Sequence, residues 1–140
     1  MKKNKSKIIL GVTESDAHVV ANHLIAYQLR TNGYEVVNLG PCTSVAEFAE
    51  AYCWNPDASA LVIGSLNGHA LGDLKELLQY KEEGKIRCPV ILGGNLSVGA
   101  DKNRKDLEKF FEIGVDVVLD SINELLPALE HLNQNERLVV

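Results

Sequence analysis

Cysteine is scarce in this chain, and what there is does not pair. Cys42, Cys53 and Cys88 are an odd number, and no two of them stand in C-x-x-C spacing. That argues against a disulfide framework and against a zinc site, and it suits a reducing cytoplasm. Long apolar runs are missing as well. No stretch approaches the roughly 20 apolar residues of a membrane span. The Ile8-Ile9-Leu10 run behind the basic N-terminus is too short for a signal-peptide core. Positive charge is also in deficit: 14 Lys and Arg against 19 Asp and Glu leave a formal net charge of -5. A nucleic-acid partner is therefore disfavoured, and the basic cluster Lys2, Lys3, Lys5 and Lys7 reads as a short solvated tail.

What is present fits one globular domain. The 140 residues leave no room for a second domain of ordinary size, and 46% hydrophobic against 24% charged residues is the balance of a self-supporting core. One domain over 1–140 is expected, with an ordered core over about 6–133 and frayed ends. Five short runs rich in β-branched residues punctuate the chain: Lys7 to Val12, Glu35 to Leu39, Ala60 to Ile63, Pro89 to Leu92 and Asp116 to Leu119. Four of them are nearly continuous in apolar residues, as strands covered on both faces are.

Helical spacing fills the gaps. Val19/Val20, His23/Leu24, Tyr27 and Arg30/Thr31 trace a partly apolar stripe that stops at Asn32-Gly33. Ser44 with Glu47 three residues on is a capping box, followed by Val45, Phe48/Ala49 and Tyr52. Tyr52 and Trp54 are expected to pack on the sheet. Leu74, Leu77/Leu78 and the Gly84 stop mark a third helix, Leu107, Phe110/Phe111 and Gly114 a fourth, and Ser121 with Glu124, Leu125/Leu126 and Leu129 a fifth. Strict alternation of five such units predicts an α/β fold. Its core would be a single doubly wound, flavodoxin-like, five-stranded parallel sheet with helices on both faces.

In such a sheet ligands bind beyond the carboxyl ends of the strands. Those edges read Thr13-Glu14-Ser15-Asp16-Ala17-His18, Gly40-Pro41-Cys42-Thr43, Gly64-Ser65-Leu66-Asn67-Gly68 and Gly93-Gly94-Asn95-Leu96-Ser97-Val98-Gly99. Three of the four are dense in Gly and Ser, so a ligand could approach the backbone closely. Asp16 and His18 are spaced so that the carboxylate can engage one imidazole nitrogen and leave the other as a base or metal ligand. On spacing alone, Asp16 as a helix cap is the commoner use. The third loop alone reads as a turn, and the Gly93-Gly94 loop reads equally as a turn or a ligand cradle. His23 inside the first helix, His69 in the third loop and His131 near the C-terminus are weaker candidates.

Other uses of the fold lack their residues. A phosphoacceptor receiver needs an Asp ending the third strand and a Lys after the fifth, where this chain has Gly64-Ser65 and Asp120-Ser121. No P-loop or G-x-G-x-x-G turn follows the first strand. No order of Ser, His and Asp suggests hydrolysis.

Asp16-Ala17-His18-Val19-Val20-Ala21 resembles the D-x-H-x-x-G element of cobalamin-binding domains. Gly64-Ser65-Leu66 stands where that family has S-x-L, and Gly93-Gly94 where it has its Gly pair. The similarity is closest to the small, cobalamin-binding (sigma) subunit of glutamate mutase, or methylaspartate mutase, and it spans nearly the whole chain. It includes Leu10-Gly11-Val12, Val36-Val37-Asn38-Leu39-Gly40, Gly93-Gly94-Asn95 and Gly114-Val115-Asp116.

The resemblance implies adenosylcobalamin bound base-off, with His18 replacing the cofactor's dimethylbenzimidazole as lower axial cobalt ligand and Asp16 holding the ring. Ser15, Asp16, Ala17, His18, Val19, Ala21, Gly64, Ser65, Leu66, Gly93, Gly94, Asn95, Leu96, Ser97, Val98 and Gly99 are the implied cofactor-binding set. It implies further that the chain is not catalytic alone. The partner would be a large TIM-barrel mutase subunit, and the reaction a carbon-skeleton rearrangement of L-glutamate or a relative. No membrane partner is expected.

Two residues depart from the pattern: Ala21 for the glycine of D-x-H-x-x-G, and Gly64 for the first serine of S-x-L. Ala21 adds a methyl where the cofactor's nucleotide tail would pass. Gly64 removes a hydroxyl expected to hydrogen-bond the buried base, leaving Ser65 or a water to replace it. Asp120-Ser121-Ile122 also lacks the glycine-rich turn of the glutamate mutase subunit. The alternatives are a corrinoid-binding carrier or sensor module, or a degenerate scaffold without mutase activity. Methyl carriers usually place a helical segment before the sheet, whereas this chain begins its first strand by about Lys7.

Overall fold

The computed structural model describes residues 6–65, 69–94 and 104–138, and within the last stretch the side chains of 107–132. Five parallel strands form the sheet: β1 (Lys7–Thr13), β2 (Glu35–Thr43), β3 (Ala60–Ser65), β4 (Val90–Gly94) and β5 (Val117–Val118), in the order β2-β1-β3-β4-β5. This is the flavodoxin-like order, with its switch point between β1 and β3. Strand β2 runs four residues past its expected end. The register slips against β1 at Gly11 and again at Thr13, with Gly40 opposite Gly11, which carries the edge on to Thr43.

Strand alternation splits the core into two layers. Ile9, Leu61, Ile63, Val90 and Leu92 face one side with Phe48 and Tyr52 of α2 (Val45–Trp54), Leu77 of α4 (Leu77–Glu82) and Phe110 of α5 (Arg104–Glu112). Ile8, Leu10, Val62 and Ile91 face the other with Ala26 and Leu29 of α1 (Val20–Thr31) and Leu125 and Leu129 of α6 (Leu125–Leu138). Each such aliphatic side chain, fully buried, contributes about 1.5–3 kcal/mol. The local punctuation is as the sequence predicts. Helices end at Gly33, Gly84 and Gly114 in paired bonds from Tyr34 to Leu29, Lys85 to Tyr80 and Val115 to Phe110. Ser44 with Glu47 and Ser121 with Glu124 both close capping boxes, the second opening a 3-10 turn over Ile122–Glu124 ahead of α6.

Three expectations fail. The helix expected from Leu74 to Gly84 begins only at Leu77 as α4, and an unexpected short helix, α3 (Ala70–Asp73), precedes it with Leu74 buried in the turn between. Trp54 is 79% exposed, because it ends α2 beyond the face that buries Phe48, Ala49 and Tyr52. The apolar stripe of α1 has the right period and the wrong phase. Asn22, Ala26 and Leu29 are buried, whereas Val20, Leu24 and Tyr27 are mostly exposed. The helix approaches the sheet on its small residue, Ala26, and on an asparagine that is bonded to the sheet, so hydrophobicity alone selects the outer face.

Candidate functional site

The layer under α1 and α6 is incomplete at the carboxyl end of the sheet. Between α1 and the β5–α6 turn lies a groove of about 380 Å³. Its floor is the end of β1, β3 and β4, including Val12, Gly64, Gly93 and Gly94. Its walls are Ala21, Leu24, Ile25 and Gln28 of α1 on one side and Leu119, Ile122 and Leu125 on the other. The volume lies in the range of small-molecule sites, and the groove sits at the topological switch point.

His18 stands on the lining of this groove. Asp16 is 1% exposed, and its Oδ1 accepts the His18 backbone N–H at 2.9 Å and also meets the imidazole at Nδ1. An ionised carboxylate only accepts, so Nδ1 carries a ring proton, and in the neutral imidazole Nε2 keeps a free lone pair. The helix-cap reading of Asp16 fails: α1 starts at Val20, with Val19 at the N-cap position and no side-chain cap. Asp16 is anchored at its backbone, donating from N–H to the Thr13 carbonyl at 2.9 Å and accepting the Cys42 N–H at 3.0 Å.

The Gly pair shapes the floor. A Cβ on Gly94 would lie 2.2 Å from the Ser65 carbonyl oxygen, and the residue has φ +116°, so only glycine fits. At Gly64 the reverse holds. A Cβ there meets nothing closer than the Gly11 carbonyl oxygen at 4.0 Å, so the missing side chain leaves open groove. Ser65 is fully buried and has the strand parity of Leu61 and Ile63, which pack in the opposite layer. Its hydroxyl has no partner among the described residues, and the residue is on the groove lining.

One polar residue of the groove escaped the sequence reading. Asn22 is 2% exposed and lies on the lining. Its Nδ2 donates to Asn38 Oδ1 at 2.8 Å, and the same oxygen accepts the Gly40 N–H at 3.0 Å, which fixes both amide orientations. Asn22 Oδ1 is left as a buried acceptor with no partner among the described residues. Its burial could not be read from sequence because it follows from the phase of α1.

Of the remaining expected site residues, Ser15 bonds Asp73 of α3, Ala17 is exposed, and Val19 is partly exposed before α1. Leu66 and Asn95, Leu96, Ser97, Val98 and Gly99 lie outside the described residues. His23 and His131 are exposed and away from the groove; His69 borders a separate shallow cleft with Ser15, Gly72 and Asp73. No cluster of three or more metal-ligating side chains occurs among the described residues. None of the described helices is long and apolar enough to cross a membrane.

Comparison with known proteins shows the family of the chain. The family model described as B12 binding domain matches residues 6–130. Glutamate mutase sigma subunit 2 of Haloarcula marismortui is 38% identical over 125 residues, 89% of this chain and 84% of that protein. The glutamate mutase sigma subunit of Clostridium tetanomorphum is 33% identical over 116 residues, 81% of this chain and 83% of that protein.

Among solved structures, the Methanosarcina barkeri monomethylamine corrinoid protein superposes with TM-score 0.71 at 25% identity, over 89% of this chain and 57% of its own. A cobalamin-binding protein from Desulfitobacterium hafniense shares the fold, with TM-score 0.67 at 19% identity, over 96% of this chain and 59% of its own. The chain thus spans less than two thirds of these two solved proteins and more than four fifths of the sigma subunits. On that coverage, this chain belongs to the B12-binding domain family and to the glutamate mutase sigma subunits within it.

Proposed function

We propose that the chain is the cobalamin-binding component of an adenosylcobalamin-dependent mutase, holding the cofactor base-off with His18 as lower axial ligand. The observation that carries the reading is His18, held by Asp16, on the lining of a mostly apolar groove. The groove suits the displaced nucleotide tail on three counts. Its volume is adequate with the Ala21 methyl already in its wall. Gly64 leaves room for a flat ring, and Asn22 Oδ1 waits for a donor in an apolar surround.

The residues divide the work. Asp16 holds the Nδ1 proton of His18, which fixes the tautomer and orients the ring. Gly93 and Gly94 admit the ligand to the strand ends, and Leu119, Ile122 and Leu125 exclude water from the tail. Adenosylcobalamin, when bound, supplies homolysis of its cobalt–carbon bond, which begins the radical carbon-skeleton rearrangement. This chain carries no substrate site of its own in this reading. A large TIM-barrel subunit binds L-glutamate or a close relative and covers the upper face of the corrin, and the single domain described above serves as the cofactor half of a cytoplasmic enzyme.

The test is an anaerobic assay with adenosylcobalamin and the cognate large subunit, scanning glutamate and close analogues. Turnover of one of them, dependent on this chain, supports the mutase; cobalamin uptake without turnover of any supports a carrier or sensor. Failure to take up cobalamin even with the large subunit leaves the scaffold reading.

A further inference from the structure

The loop between Thr13 and Val20 carries His18 and is held internally by the Asp16 bonds to Thr13 and His18. Helix α1 begins without a side-chain cap. The loop is tied from outside on two flanks. On the β2 side, the Cys42 N–H bonds the Asp16 carbonyl at 3.0 Å. On the β3 side the tie is Asp73, last residue of α3 and 58 positions away in sequence. Its Oδ2 accepts both the Ser15 hydroxyl at 2.6 Å and the Ser15 backbone N–H at 3.3 Å.

Two donors of one residue converging on one carboxylate oxygen fix the backbone as well as the side chain. The short hydroxyl bond has the geometry of a charge-assisted one. Ser15 is the chain neighbour of Asp16, whose carboxylate orients the His18 ring. Asp73 itself is absent from the groove lining and makes no contact with the imidazole among the bonds of the site.

We propose that Asp73 is a positioning residue for His18, acting through Ser15 and Asp16 to hold Nε2 where an axial ligand must stand. This rests on His18 being that ligand. A carboxamide at position 73 keeps an oxygen acceptor in the same place without the charge, whereas alanine removes the acceptor altogether. The effect should therefore be graded, alanine beyond asparagine. It should fall on the His-ligated share of bound cofactor and not merely on folding.

The test uses the full chain, labelled with nitrogen-15 and saturated with unlabelled cobalamin reduced to cobalt(II), in wild type, His18→Ala, Ser15→Ala, Asp73→Asn and Asp73→Ala. Electron paramagnetic resonance then reads the nucleus on the axial position: a doublet from protein nitrogen, a triplet from the cofactor's own base. Circular dichroism monitors the fold. The proposal expects the ratio of His-ligated to non-His-ligated bound cofactor to fall about fivefold or more in Asp73→Ala, which loses both bonds to Ser15, fivefold being the change produced by one hydrogen bond of ordinary worth. Asp73→Asn should lie between that and wild type, and Ser15→Ala should move in the same direction. If Asp73→Ala fails to fold, Ser15→Ala, which leaves α3 intact, carries the test alone. A wild-type doublet share in folded Asp73→Ala, or in Ser15→Ala where that variant stands alone, overturns the proposal and leaves His18 ligation standing. Absence of the doublet in wild type overturns both.

Discussion

Gly94 lies against the backbone of Ser65, so closely that a Cβ on it would stand 2.2 Å from the Ser65 carbonyl oxygen. Residues 65 and 94 are register partners at the ends of β3 and β4, so neither backbone can retreat without breaking the sheet edge that floors the groove. With φ +116° as well, Gly94→Ala is expected to cost about 2–4 kcal/mol of stability. Urea denaturation followed by circular dichroism measures it, and a loss under 1 kcal/mol would mean that the strand ends yield.

Gly64 is the opposite case, a glycine with space around it. Gly64→Ser places a hydroxyl toward the groove with no contact nearer than about the Gly11 carbonyl, 4.0 Å from the Cβ position. One added hydrogen bond of about 0.5–1.5 kcal/mol corresponds to roughly two- to tenfold tighter binding of cobalamin. Cobinamide, which lacks the nucleotide, should bind the variant and wild type equally. Equal tightening of both would place the effect outside the tail groove.

The thiols divide by burial. Burial pushes the Cys88 thiol up to about 11 from its ordinary 9.0, while Cys42 and Cys53 are exposed. In the native protein Cys42 and Cys53 should react promptly with a chromogenic disulfide, and Cys88 only on unfolding. Because the folded state holds the Cys88 proton more tightly, its contribution to stability is complete below pH 9 and declines as pH rises toward 11. Cys88→Ala should flatten that alkaline decline in denaturation curves. A decline of unchanged steepness would assign it to other groups.

Trp54 is the one tryptophan and is solvent-exposed. The native protein should show red-shifted emission, quenched efficiently by acrylamide, with little further shift on unfolding. A blue-shifted, protected emission would mean that another surface covers α2 in solution.

The legible parts of this molecule are those written locally. Capping boxes at Ser44 and Ser121, helix stops at Gly33, Gly84 and Gly114, and the apolar strand runs each rest on residues within a few positions of one another; the caps and stops formed as read, and all five strands formed with shifted ends. The Asp16–His18 pair was only half legible in this way, because its spacing alone favours a helix cap and the resemblance to cobalamin-binding domains was needed to reverse that. The phase of α1 was not: the contact with the sheet is made by Ala26 and by an Asn22 bonded to Asn38, and neither adds hydrophobicity to the stripe. The far wall of the groove, Leu119 and Ile122, and the Asp73 tie to Ser15 depend on which loops the topology brings together. Spacing along the chain carries no record of that.

His18 as the lower axial ligand is the central claim, and the axial nucleus of bound cobalt(II) cobalamin tests it most directly. With nitrogen-15 protein and unlabelled cofactor, wild type should give a doublet from the His18 nitrogen, and His18→Ala should lose it. A triplet from the cofactor's own dimethylbenzimidazole in wild type, or a doublet that survives His18→Ala, would contradict the account.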